Sequence, residues 1–174
     1  MDKWFMVTIV GKDQSGLVAK VSQALFQVGG NLGEASMARL GANFTIMLMT
    51  QFKGTANDLE NALAPLAQSL NLHCHVDLIE GELHRHVEPD VRISVYGADC
   101  PGIVAEVTCA LAENGLNILN LETDVGGDEE DPVYIMNIDG IASNGIEGLE
   151  TALTKLSDEK NLETRLLPIN TMIG

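Results

Sequence analysis

Basic residues are scarce in this sequence. Ten Lys and Arg stand against 25 Asp and Glu, a net charge of −15 over 174 residues, whereas a phosphate-backbone footprint needs clustered cations. Direct nucleic-acid binding is not expected. Long apolar stretches are missing as well, with no run of eighteen or more apolar residues, so no membrane-spanning helix is expected. The start of the chain shows no basic region followed by an apolar core and a cleavage site, which predicts a soluble, unexported protein. Cysteines number three, and Cys74, Cys100 and Cys109 have no Cys-x-x-Cys spacing. Neither a disulfide framework nor a zinc knuckle is suggested, and free thiols fit the cytoplasm.

With 45% hydrophobic residues, the chain is long enough for two compact domains, but not for those two and a catalytic domain besides. It also repeats itself. A shift of 86 residues superimposes residues 5–32 on 91–118 without a gap, with about ten identities in roughly twenty-eight pairs. Gly11 matches Gly97, Asp13 matches Asp99, Gly16 matches Gly102, Val21 matches Val107, Leu25 matches Leu111 and Asn31 matches Asn117. The period is too long for a solenoid, so each copy is read as a small domain with its own core.

Hydrophobic periodicity gives the order of elements. Residues 4–10 alternate as a strand; Leu17, Val18, Val21, Ala24, Leu25 and Val28 then mark one side of a helix that Gly29-Gly30 ends. Asn31–Leu40 and Asn43–Phe52 read as a hairpin around Gly41-Ala42. Ala56–Leu70 reads as a second helix that Pro65 should kink or shorten, and residues 72–79 as a last strand. The second copy repeats this with strands over 91–95, 117–125, 132–139 and 162–167 and helices over 103–114 and 147–156. Strand, helix, strand, strand, helix, strand is the split arrangement of a ferredoxin-like α+β fold with antiparallel sheets. Domain 1 is assigned to residues 1–80 and domain 2 to 91–174, with the charged, aperiodic 81–90 as linker.

Each copy turns from its first strand into its first helix through a related sequence, Gly11-Lys12-Asp13-Gln14-Ser15-Gly16-Leu17-Val18-Ala19 and Gly97-Ala98-Asp99-Cys100-Pro101-Gly102-Ile103-Val104-Ala105. Exposed N–H groups at a helix start can hold a carboxylate or phosphate, and glycines allow close backbone approach. The alternative is local: Asp13 and Asp99 capping their helices, with Pro101 in a first turn.

Other features are weaker. His73 and His75 share one side of a strand, near His84 and His86 in the linker, and could ligate zinc or nickel, but a polar strand end is the commoner meaning. No metal or cofactor is expected. The acidic hairpin tip Asp128-Glu129-Glu130-Asp131 lacks calcium-loop spacing and reads as solvated. Met6, Met47, Met49 and Val10 fall where a solvent face is expected, whereas the second copy has Arg92 and Ser94. Another sheet or helix, from the second module or from another subunit, is therefore expected to cover the first copy's open face, and a homo-oligomer is the expected assembly.

Two such modules, each with Gly-x-Asp-x-x-Gly-[Leu/Ile]-Val-Ala and a Gly-x-Asn-[Leu/Ile] opening to its second strand, resemble the ACT-domain family over nearly the whole chain. A stand-alone tandem pair of this length resembles the glycine cleavage system transcriptional repressor group in particular. The resemblance implies amino acid binding at an interface between modules, using the turn of one and strand atoms of the other. Carried onto this chain, the ligand-binding positions are Asp13, Gln14, Ser15, Gly16 and Leu17, then Asp99, Cys100, Pro101, Gly102 and Ile103, with Asn31 and Asn117 completing the pockets. Helix-start amides would take the carboxylate, and Asp or Asn oxygens the ammonium group. Gln14-Ser15 lacks the proline of Cys100-Pro101, so the two turns are expected to differ. No DNA-reading element accompanies the modules, so gene control would run through a regulatory protein partner. The expected protein is thus a non-enzymatic sensor of an amino acid, with glycine the first candidate. A purely structural interaction module is the alternative, and a thiol enzyme using Cys100 a third.

Overall fold

The computed structural model describes residues 2–80, 87–98, 100–128 and 131–169. The chain divides into two compact units, Met1–Arg85 and His86–Gly174. Unit 1 runs β1 (Lys3–Lys12), α1 (Leu17–Gln27), β2 (Asn31–Leu40), β3 (Asn43–Phe52), α2 (Ala56–Leu70), β4 (His73–Leu78). Unit 2 repeats the order as β5 (Val91–Ala98), α3 (Ile103–Glu113), β6 (Leu116–Asp128), β7 (Asp131–Ala142), α4 (Glu147–Lys160), β8 (Glu163–Pro168). The sheets are ordered β2-β3-β1-β4 and β6-β7-β5-β8, and every pairing is antiparallel. The α+β, doubled βαββαβ architecture is the expected one.

Alternation along the central strand explains each core. Phe5, Val7 and Ile9 of β1 face the helices and are buried with Leu17, Val21 and Leu25 of α1 and Leu59 and Leu63 of α2. Val91, Ile93 and Val95 do the same against Ile103, Val107, Leu111, Leu149 and Leu153. The two core clusters have no residue in common. Val18 and Val28, expected on the buried side of α1, are instead 43% and 40% exposed, because the buried stripe follows Leu17, Val21 and Leu25 at strict four-residue steps.

Helix α2 neither stops nor shortens at Pro65 but runs to Leu70. The proline and Asn61, whose carbonyl loses its helical partner, are both exposed, so water can take that bond. A capping box at Thr55 and Asp58 starts the helix, a feature worth about 1 kcal/mol. Asn71 and Asn161 end α2 and α4 in the left-handed conformation. They lie 90 apart (161 − 71), while the first-half repeat is 86, so unit 2 carries four extra residues (90 − 86), all in its longer hairpin.

One core position is chemically mismatched. Thr50 is fully buried on β3 and its Oγ1 has no hydrogen-bond partner among the described residues. An unpaired buried hydroxyl costs free energy that a methyl of the same shape does not. Thr50→Val is therefore expected to stabilise unit 1 by about 1 kcal/mol, read as a higher urea midpoint at unchanged m-value. A lower midpoint would show that the hydroxyl has a partner.

Candidate functional site

Where they are described, the two strand-to-helix turns follow one backbone pattern. Gly16 and Gly102 stand just before their helices at φ 78° and 91°, a region that L side chains avoid. Among the described residues neither helix start has a side-chain cap. Leu17 N donates to Gln14 O and Lys20 N to Gly16 O, with the same pattern at Ile103 and Glu106. No backbone or side-chain partner outside the helix is found for the first-turn amides of Val18, Ala19, Val104 and Ala105 among the described residues. Helix α1 has no acidic residue in its first turn, and Glu106 in α3 is paired to Lys160 at 2.8 Å. Both helix starts thus present N–H groups and partial positive charge to an anion. A methyl group placed on Gly16 or Gly102 would meet nothing within 4 Å among the described residues.

The predicted residues divide by what their side chains do. Asp13 does not cap α1: its carboxylate is 3.0 Å from Arg39 Nε, and its backbone N donates to Ala42 O. The first turn is thereby tied to the β2–β3 hairpin. Gln14 Nε2 donates to Leu70 O at 3.3 Å, closing the end of α2, which Cys100 at the matching place cannot reproduce. Ser15, Cys100 and Pro101 are exposed. Leu17 and Ile103 send their side chains into the two cores, so only their backbone faces a ligand. Asp99 lies outside the described residues. Gly11 and Gly97 give room not to a ligand but to the protein itself, since a methyl on either would stand 2.4 Å from Cδ2 of Leu72 or Leu162.

Asn31 and Asn117 are not brought to the turn of their own unit. Asn31 pairs with Gln51, which pairs with Trp4, whereas the turn follows Lys12 at the other end of β1. Eight residues of strand separate those ends by roughly 26 Å. Asn117 pairs with Ile141, beside the start of β5, and Ala98 lies at the far end. Sequence reading missed Arg39, Leu72 and Leu162, because only strand pairing and helix docking bring them to the turns.

The remaining candidates also have places. His73 and His75 are exposed on β4; His75 Nε2 is 3.1 Å from Asp77 and its Nδ1 3.8 Å from Glu60. No group of three or more His, Cys, Asp or Glu able to hold a metal occurs among the described residues. His84 and His86, like Glu129 and Glu130 of the acidic tip, lie outside them. Burial, then the Glu60 carboxylate, pushes the Cys74 thiol up. No helix among the described residues is long and apolar enough to cross a membrane.

The helix-free sheet faces differ between the units. Unit 1 shows Met6, Met47 and Met49 around a hollow of about 220 Å³, with Met47 46% exposed and Met49 buried. In unit 2 the matching face holds Arg92, whose Nε and Nη2 donate to the two Asp139 oxygens at 2.6 and 2.9 Å. Hydrogen bonding to Arg92, with its charge, holds the Asp139 carboxyl below its ordinary range. A depressed carboxyl stabilises the folded state fully above the unfolded pKa and loses that contribution as pH falls through the folded one. Asp139→Asn is expected to flatten the acid limb of unit 2 stability below about pH 4, measured as melting temperature against pH.

Family models for the ACT domain match residues 3–77 and 91–161. Over 70 residues the chain is 41% identical to a UPF0237 protein of Methanococcus maripaludis, covering 40% of this chain and 77% of that one. A UPF0237 protein of Streptococcus pneumoniae is 33% identical over 73 residues, covering 41% and 83%. Among solved structures, an unknown protein from Galdieria sulphuraria superimposes with a TM-score of 0.78 at 23% identity, over 98% of this chain and all of that one. A candidate glycine cleavage system transcriptional repressor gives 0.71 at 17% identity, over 98% and 99%. At these identities the two structures bear on fold alone.

Proposed function

The chain belongs to the ACT-domain family, and from that premise we propose that it is a non-enzymatic cytoplasmic regulator. It binds a small amino acid, glycine first among candidates, and passes the signal to a regulatory protein partner that controls gene expression. The observation that carries this reading is the pair of helix starts at Gly16 and Gly102, where, among the described residues, no side chain caps the helix and open space adjoins unpartnered amides. Helix α2, by contrast, satisfies its own start with Thr55 and Asp58. In this reading the ligand carboxylate sits on the first-turn amides of α1 or α3. The ammonium group is taken by an asparagine, Asn31 or Asn117, of a second copy of the chain, since neither unit joins its own asparagine to its own turn. Binding across copies gives the ligand a difference in affinity between assembly states, which regulation requires.

Calorimetric titration and thermal shift of the full chain against the common amino acids test the reading. One small amino acid is expected to stabilise the protein, by about 2.7 kcal/mol at a hundredfold excess over its Kd. Gly16→Asn and Gly102→Asn fill the open space with the side chain that best tolerates positive φ; each is expected to weaken binding while the fold persists. No heat and no stabilisation from any amino acid would leave the chain a structural interaction module.

A further inference from the structure

The duplicated modules keep one more feature in register, on the sheet face away from the helices. Beside the irregularity in the second strand, Leu32/Ala35 in β2 and Ile118/Asn120 in β6, each unit has a hollow. Pairing fixes the correspondence. Met49 pairs with Met6 as Asp139 pairs with Arg92; Met47 lies between Thr8 and Ser36 as Asn137 lies between Ser94 and Glu122. The backbone therefore builds the same concavity twice, and only its lining has diverged. Three thioethers in unit 1 stand where unit 2 has a guanidinium, a carboxylate and an amide.

The lining in unit 2 is ordered before any ligand arrives. Asp139 holds Arg92 through Nε and Nη2, leaving Nη1 as a donor. Ser94 Oγ donates to Asn137 Oδ1 at 2.8 Å, which assigns the Asn137 NH₂ as its remaining donor. Across the hollow, Asn120 Nδ2 lies 3.5 Å from Glu122 Oε1, and the carboxylate has further acceptor capacity. Asn137 and Asp139 are half-buried, and the hollow encloses about 300 Å³. One guanidinium against two carboxylates disfavours a bare anion, yet donors and acceptors both converge. That combination suits a small molecule carrying both charges.

We propose that this hollow in unit 2 is a binding site for a small zwitterionic α-amino acid. The ligand carboxylate takes the free N–H groups of Arg92 and Asn137; its ammonium group takes Glu122 and the Asn120 carbonyl oxygen. The side chains are already positioned, so little ordering cost opposes binding. The site shares no residue with the turns and stands or falls separately from the function proposed above.

The test uses the full chain, labelled with ¹⁵N, titrated with glycine, L-alanine and L-serine and with acetate and methylammonium as single-charge halves. Each amino acid is expected to move the Arg92 Nε–H and the Asn120 and Asn137 side-chain amide signals. Either half-molecule should need at least about tenfold more. Glu122→Gln, isosteric and on an exposed strand, should weaken these shifts at least about tenfold, whereas Gly16→Asn with Gly102→Asn should leave them unchanged. Silent signals at about 10 mM of all three amino acids, or undiminished shifts in Glu122→Gln, would overturn the proposal. Shifts confined to the turn amides would also overturn it while supporting the turn reading. Shifts confined to the hollow would uphold it and count against the turns.

Discussion

Phe5→Ala is expected to cost unit 1 about 3–5 kcal/mol while leaving unit 2 intact. Phe5 is 2% exposed, the first of the three buried residues of β1, with its ring edge-on to Phe52 at 6.4 Å. Truncation removes the apolar transfer term and leaves a cavity, which the paired neighbours Thr50 and Leu78 cannot close without breaking strand register. A domain of this size has only about 5–10 kcal/mol to lose, so much of its stability would go. The confinement to unit 1 follows from the separate membership of the two cores. Hydrogen exchange resolves the units: amides of β1 and β3 should lose protection, and those of β5 and β7 should keep it. Equal loss in both would show that the two units unfold as one cooperative body.

Gly140→Thr should be nearly as damaging, by about 2–3 kcal/mol, although threonine occupies the matching place in unit 1. Thr50 lies opposite Phe5 as Gly140 lies opposite Val91, the start of the repeated segment. In unit 1 the space is filled from β3 by Thr50, and Gly30 gives way: a methyl there would be 2.9 Å from Thr50 Cγ2. In unit 2 Leu116 stands at the position of Gly30 and fills the space from the other side, so Gly140 gives way. A methyl on Gly140 would lie 3.0 Å from Leu116 Cδ1 and 2.6 Å from Asn117 O. Leu116→Gly alone should cost about 3–5 kcal/mol through the cavity and backbone freedom it leaves. Combined with Gly140→Thr, it should cost less than the sum by about 1 kcal/mol or more. Strict additivity in chemical denaturation would show that the two positions do not share one space.

These two positions mark a limit of the sequence repeat. The matching glycines Gly11 and Gly97 suggest close approach by a ligand, and the space belongs to Leu72 and Leu162, some sixty residues further along the chain. Asp13 has the chemistry of a helix cap, yet Arg39 from the edge strand β2 claims its carboxylate. Asn31 stands two residues after Gly29 as Asn117 stands two after Gly115, and strand direction then carries both to the far end of their sheets. In each case the partner is chosen by pairing between distant segments, which local spacing does not encode.

By itself the sequence determined the order and kind of the elements, the doubling, and the glycine-bearing turns ahead of the first helices. These depend on side-chain periodicity and backbone sterics within a few residues, and both are local properties. Tertiary structure decided which turn side chains are left over for a ligand. It also decided that a strand irregularity opens a hollow on each sheet face, lined by methionine in one unit and by paired charges in the other. Those outcomes depend on the register of strands brought together over tens of residues, where a slip of one position would exchange the two faces of the sheet.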